Sequence, residues 1–416
     1  MAARIDSTGG VKEGRPGPAA SGGLLSGGLP VLLVVTFLAF VDYAALLSVV
    51  PLWAAEGGAA GAGVGATTGV MMAATVATQL AAPWLFRIFP LRTMLVVGAV
   101  LLGGPTPLYV LSADIAPIMA ITVVRGVGFA CVVMAGATFV ADLAADGRLA
   151  SSASLYGVAA ALPNLGALAG GVWAARTWGF APVFWGSAAA CLAGALLALL
   201  LPEANRGTFR LASTADVRSI AVPIVLFVLT AGSFGAATTF LPVALPDAGT
   251  ASWALLAASV ALVAARLGAG AVGDRRGAGR LLPAAMLCCA AGLVLTAVSL
   301  TGIPYLVVVG AALLGAGFGA CQNDSFVLTI QRLGAGRSGT ASTIWNIAYD
   351  GGLGLGAVVV GWFVGSAGYA GAFLGAGIGV AVVSLLLFRH WGSRPEARRN
   401  GGPQSEMSTE RLRGPE

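Results

Sequence analysis

Long apolar runs set the first limit on what this chain can be. Twelve stretches of about 20 residues, nearly free of charge, follow one another with short polar breaks. They cover 29–53, 65–86, 93–111, 117–140, 154–174 and 180–201, then 220–243, 253–272, 281–300, 304–330, 341–364 and 369–388. A helix rises about 1.5 Å per residue and the hydrocarbon core of a bilayer is about 30 Å thick, so each run is long enough to cross it. Composition agrees: 10% of the 416 residues are charged and 57% are hydrophobic, whereas a soluble domain carries about 25% charged residues. The expectation is an all-α membrane protein of twelve transmembrane helices. Glycine within several runs permits close helix packing rather than forbidding a helix.

The longest break, 202–219, divides the runs into two sets of six. The expected organisation is a disordered tail over 1–28, a six-helix half over 29–201, a linker over 202–219, a second half over 220–391 and a disordered tail over 392–416. The first run is longer than a signal-peptide core of about 7–15 residues, so the start reads as a tail and not as a cleavable leader. Positive charge orients the chain. The breaks on the side of the N-terminus hold Arg4, Lys12, Arg15, Arg87, Arg92, Arg148, Arg206, Arg210, Arg218, Arg275, Arg276, Arg280, Arg332 and Arg337, while the other side holds Arg176 beside Glu56, Asp114 and Asp247. Both termini are therefore expected in the cytosol, in a plasma or inner membrane. The net charge of +6 is spread over breaks and tails, which is no footprint for nucleic acid.

The halves repeat one another. Arg125, Gly126, Gly128 and Phe129 fall on Leu314, Gly315, Gly317 and Phe318 at an offset of 189 (315 − 126), and Gly147 and Arg148 fall on Gly336 and Arg337 at the same offset. Arg87 and Arg92 fall on Arg275 and Arg280 at 188, and Pro51 falls on Pro242. Matches at a nearly constant spacing across separate regions indicate duplication, and two pseudo-symmetric halves imply a path between them near the midplane.

The end of the eighth run and the break after it contain Gly270, Gly273, Asp274, Arg275, Arg276, Gly277, Gly279 and Arg280. This resembles the signature loop of the major facilitator superfamily, in which a glycine, an Asp-Arg pair, a further glycine and an arginine line a cytosolic turn. The resemblance extends to length, span count and repeat. It implies a transporter, a gating role for Gly270, Asp274, Arg275, Gly277 and Arg280, and a monomer by default. The first-half copy departs from the pattern, with Phe86 where Asp274 aligns. A carboxylate at Asp274 is expected near the start of the fifth helix, where free N–H groups would stabilise it while that face is closed. Arg125, Gly126 and Gly128 resemble an Arg-plus-Gly pattern of proton-coupled members. Pro163 and Gly166 resemble the glycine-proline motif of drug antiporters, with Leu162 where a glycine usually stands. Together these point toward drug/proton antiporter or arabinose-efflux-type members, with Gly126, Gly128, Pro163 and Gly166 as packing or hinge positions.

A charge at mid-bilayer costs about 2.5–3.5 kcal/mol on insertion scales, so each one needs a partner or a purpose. Asp42, beside Tyr43 in the first run, and Arg125 in the fourth fall at similar depth. Arg125 keeps its proton, while a carboxyl group can gain one. The pair is read either as proton coupling or cargo contact, or as a static ion pair. In the second half, Gln322, Asn323 and Asp324 lie in one run and Asn346, Tyr349 and Asp350 lie on one face of the next. Asp324 and Asp350 read either as cavity residues or as gate residues paired with Arg266 or Arg332. Tryptophans near run ends (Trp53, Trp173, Trp362, Trp391) read as interfacial anchors.

One histidine, no paired-acid constellation and five cysteines without metal spacing argue against an enzyme, a metal and a bound cofactor. The sequence reading is a proton-driven exporter of small amphipathic cargo. A sugar or metabolite permease stands second, and a non-transport membrane protein remains a remote alternative.

Overall fold

The computed structural model describes residues 28–144, 148–203, 214–334 and 337–392. The two tails and the middle of the linker expected above lie outside the described residues. All regular elements among the described residues are helical. In the first half they are α1 (Leu29–Glu56), α2 (Gly61–Leu80, continued by Ala82–Ile88), α3 (Leu91–Gly103, ending in the 3-10 turn Thr106–Leu111), α4 (Ile115–Leu143), α5 (Leu149–Trp178) and α6 (Phe180–Ala198). In the second half they are α7 (Thr214–Ala244), α8 (Ala248–Arg276), α9 (Leu282–Ser299) and α10 (Leu306–Leu333), followed by one continuous stretch, Ser338–Gly392.

Among the described residues ten helices are long and apolar enough to cross a membrane, and the bent pair that makes up α2 is long and apolar enough for an eleventh when taken as one span. The apolar stretch Gly339–Arg389 has 51 residues, about 75 Å of helix at 1.5 Å per residue and far more than one crossing needs. Gly368 divides it, with φ 65 and ψ 176, a conformation that a side chain would disfavour. The result is α11 (338–367) and α12 (369–392), so the twelve expected spans are present.

Proline explains two departures from uniform spans. α2 bends by 62° between Leu80 and Ala82, next to Pro83, whose ring has no N–H to give the Gln79 carbonyl. α3 gives way at Gly104 to the tighter turn Thr106–Leu111, where Pro105 and Pro107 withhold two donors. Trp53 is also tied to this turn: its indole N–H donates to the carbonyls of Tyr109 at 2.9 Å and Ser112 at 3.1 Å, and its ring packs on Phe180 and Phe184.

The sequence repeat is also a packing repeat. A Cβ on Gly126 would meet the Met71 carbonyl of α2, and one on Gly315 would meet the Ala258 carbonyl of α8. Two residues on, Gly128 lies against the α3 backbone at Leu102, and Gly317 against the α9 backbone at Ala285. Equivalent glycines thus seat equivalent neighbours, which places α4 and α10 at the centre of their halves. Gly166 differs, because nothing lies within 4 Å of where its Cβ would be. It is not a packing glycine in this structure; Gly171, one turn on, meets Ala45 of α1.

The halves are clasped toward the face opposite the two chain ends, here called the distal face. Gly65 of α2 abuts the Ala357 carbonyl of α11. Ser48 donates to the Thr238 carbonyl at 2.8 Å, and the Thr68 and Thr239 hydroxyls meet at 2.8 Å. Arg176, at the end of α5, donates to the carbonyls of Pro242 at 2.8 Å and Pro246 at 3.2 Å. The Pro242 carbonyl belongs to the last turn of α7, where carbonyls lack helical partners and the helix end attracts a cation.

Two outcomes follow from this packing. Gly126→Val forces α2 and α4 apart and lowers stability by about 1–3 kcal/mol, whereas Gly166→Ala is neutral or stabilising. Thermal unfolding in detergent separates the two, and equal melting points would contradict the packing. Arg176→Ala loosens the distal clasp, so a membrane-impermeant maleimide added on that side labels a Thr239→Cys probe faster than when Arg176 is intact. Unchanged labelling would show that Arg176 does not hold the clasp.

Candidate functional site

Asp42 and Arg125 meet inside the first half. Arg125 Nη2 donates to Asp42 Oδ2 at 2.8 Å, with the side chains 1% and 0% exposed. The proline-induced turn at the end of α3 completes the shell. Thr106 Oγ1 lies 3.3 Å from Asp42 Oδ1, Arg125 Nε donates to the Leu102 carbonyl at 3.1 Å, and Arg125 Nη1 reaches the Tyr109 hydroxyl at 3.5 Å. Tyr109 in turn meets the Thr122 hydroxyl at 2.8 Å, and the guanidinium carbon stands 5.7 Å from the Tyr109 ring centre. Each nitrogen of Arg125 has an acceptor and each oxygen of Asp42 has a donor, as burial of an ion pair demands. Thr106 and Tyr109 were not picked out by sequence reasoning, because the 3-10 turn that brings them here is a local consequence of two prolines. The second-half counterpart of Asp42, Ser233, bonds the Leu229 carbonyl of its own helix at 2.8 Å.

Tyr43 faces the other way from its neighbour Asp42. It stacks on Phe129 with ring centres 3.9 Å apart and planes at 5°, while its buried hydroxyl has no hydrogen-bond partner. It lies within electrostatic range of Tyr349 and Asp350 of α11, so the halves approach one another here. Tyr349 belongs to an aromatic shelf with Trp345 (5.8 Å, 29°), Phe318 (5.8 Å, 29°) and Phe227 (6.1 Å, 41°). Trp345 stacks on Phe227 at 4.6 Å and donates to Ser325 Oγ at 3.2 Å.

Asp350 pairs with neither Arg266 nor Arg332. Gln79 Nε2, on α2 across the two halves, donates to Asp350 Oδ2 at 2.7 Å. An amide can do this at the bend of α2 because it carries hydrogens without a charge of its own. Asp324 is a loop anchor rather than a gate partner: its Oδ2 accepts the backbone N–H groups of Gly279 and Leu281, both at 3.0 Å. Arg332 donates instead to the Ser219 carbonyl at 2.9 Å. The remaining polar residues separate. Asn346 bonds within its helix to Ser342. Gln322 is buried with Oε1 unpartnered, as is Gln79 Oε1. Asn323 lines a crevice of about 330 Å³ with Gly270, Gly273, Asp274 and Asp324, away from the shelf.

The signature loop owes its glycines to backbone geometry. Gly277 ends α8 at φ 86 and Gly279 follows at φ 89, both in the region that favours glycine, and the second conformation aims its N–H at Asp324. Asp274, Arg275 and Arg280 are exposed. Among the described residues Asp274 makes no hydrogen bond or ion pair, and the expected contact with the start of α5 is not made in this state, in which the halves are clasped at the distal face.

The sequence model of the Major Facilitator Superfamily matches residues 224–413, slightly under half of the chain. No curated protein matches the sequence at a significant level. Solved structures are similar throughout. The nucleoside transporter NupG is 12% identical, with a TM-score of 0.72, and the match covers 88% of this chain and 99% of that one. A bacterial homologue of the human lysosomal transporter Spinster, in an inward-facing and occupied conformation, is 14% identical with a TM-score of 0.70, covering 90% of this chain and 98% of that one. A POT family transporter in complex with 5-aminolevulinic acid is 12% identical with a TM-score of 0.69, covering 87% and 95%. Likeness at this level of identity concerns the fold, and the chain has the twelve-helix major facilitator fold, with the family's sequence model matching its second half.

Proposed function

We propose that the protein is a secondary active transporter that moves small amphipathic molecules by alternating access, exporting them in exchange for protons, with the face that holds both termini toward the cytosol. The observation that carries the reading is the sealed Asp42–Arg125 pair. It is a titratable acid beside a permanent cation, at membrane depth, in a fold whose halves rock against each other. When the rocking changes the Arg125 contact or admits water, the acid binds or releases a proton, and the two faces of the membrane become its donor and acceptor. Trp345 and Tyr349, half-buried and backed by the fully buried Phe318 and Phe227, offer an apolar surface for cargo. The signature loop, anchored by Asp324, is positioned to engage α5 when the terminal face closes.

A second reading, a permease for a polar metabolite, has one specific observation in its favour. The unpartnered polar atoms Tyr43 Oη, Gln79 Oε1 and Gln322 Oε1 would suit a cargo rich in hydrogen-bonding groups, in keeping with the nucleoside transporter among the similar structures.

Proteoliposomes with an imposed pH gradient and a cargo panel test the coupling. Asp42→Asn loses accumulation against a gradient while exchange down a cargo gradient persists. Because Asn leaves Arg125 buried without its counter-ion, at about 3–5 kcal/mol, the double variant Asp42→Asn with Arg125→Gln serves as the folded control. Proton-driven accumulation by either variant at the wild-type level sinks the coupling assignment.

A further inference from the structure

Among the described residues, one charge deep within a span has no partner. Arg266 lies ten residues before the end of α8 (276 − 266), about 15 Å into the helix from the terminal face. Among the described residues it forms neither a hydrogen bond nor an ion pair, and the two acids that could have neutralised it are occupied: Asp350 by Gln79 and Asp324 by the amides of Gly279 and Leu281. Its side chain remains exposed.

Its position on the helix shows which way it faces. Trp253, Val260 and Leu267, seven apart, form the outward apolar stripe of α8, at 64%, 52% and 72% exposed. Ser252, Ser259 and Arg266 form the neighbouring stripe, about 100° round the helix. Both serine hydroxyls on it are buried and without a hydrogen-bond partner, which marks a polar stripe turned into the protein rather than toward lipid. Of the shelf residues, Tyr349 carries the hydroxyl that lies within electrostatic range of Arg266.

An unpaired guanidinium at this depth is costly to keep, and a bound anion would neutralise it through two parallel N–H bonds. We propose that Arg266 is the anchor for an anionic group on the cargo, a carboxylate or a phosphate, whose aromatic or apolar body lies on the Trp345–Tyr349 shelf. This deepens the transporter reading and rests on it. The cargo class becomes amphipathic anions, and Arg266 sets the preference by charge.

The test uses the full chain in nanodiscs, titrated calorimetrically with 4-phenylbutyrate, 4-phenylbutyl phosphate and the neutral methyl ester of the first. Wild type binds at least one of the two anions about tenfold or more tightly than the ester, as a charge-assisted contact predicts. Arg266→Gln removes that preference and Arg266→Lys keeps part of it, with the melting temperature reporting that each variant is folded. The carboxylate and phosphate arms distinguish the two anion types. Binding of both anions no tighter than the ester by wild type, binding of none of the three, or an undiminished preference in Arg266→Gln would each overturn the anchor. Transport of neutral or cationic cargo in proteoliposomes, driven by a pH gradient and equal in wild type and Arg266→Gln, would overturn it too while leaving the transporter reading standing.

Discussion

A bilayer core offers no water to a polar group, and most of this structure is a response to that fact. Backbone N–H and C=O groups are satisfied within helices, which is why the regular elements described here are all helical. Charged side chains within the spans have no such general solution, and the three acids find their own. Asp42 and Arg125 neutralise each other and fill their remaining valences with Thr106, Tyr109 and the Leu102 carbonyl. Asp324 takes two backbone amides, and Asp350 takes the amide of Gln79. The places where neutralisation crosses between halves, or is left open, are where conformational change and cargo can act.

The duplication gave both halves one helical plan, and their polar chemistry then diverged in linked sets. The first half holds both members of the buried ion pair, whereas the second has Ser233 and Leu314 in their places. The second half holds both Asp274 of the signature loop and its anchor Asp324. The first has Phe86 for Asp274 and, at the repeat offset, Ala135 for Asp324 (324 − 189). Retention in sets has a physical basis. A lone Arg125 would be an uncompensated buried charge, and a Gly279 loop without a carboxylate would leave two amides unpaired. Where the anchored loop is missing, Pro83 supplies a bent helix instead.

Features that depend on composition and periodicity were legible in the sequence: the twelve spans, the break near Gly368, the repeat and the meeting of Asp42 with Arg125. Depth along two helices suffices to bring a lone acid and a lone base together when each is expensive alone. The partners of Asp324 and Asp350 were not legible, and the arginine contacts of the gate alternative are not made. A backbone amide leaves no mark in a sequence, and Gln79 is a neutral residue 271 positions from Asp350. The partners of Trp53 were not legible either, because the carbonyls of Tyr109 and Ser112 are presented by the turn that ends α3. Gly166 read as a packing or hinge glycine because its neighbours match a motif, yet packing depends on which helix passes by, and none does at Gly166.

The sequence by itself determined that this chain lives in a membrane, crosses it twelve times and carries two related halves. Hydrophobic length and repeated spacing are properties of the chain taken one segment at a time. Tertiary structure decided which polar groups are neutral, which are paired across halves, and that Arg266 is left within electrostatic range of Tyr349 with nothing to balance it. Those outcomes depend on distances between helices, and a local pattern of residues does not encode a distance.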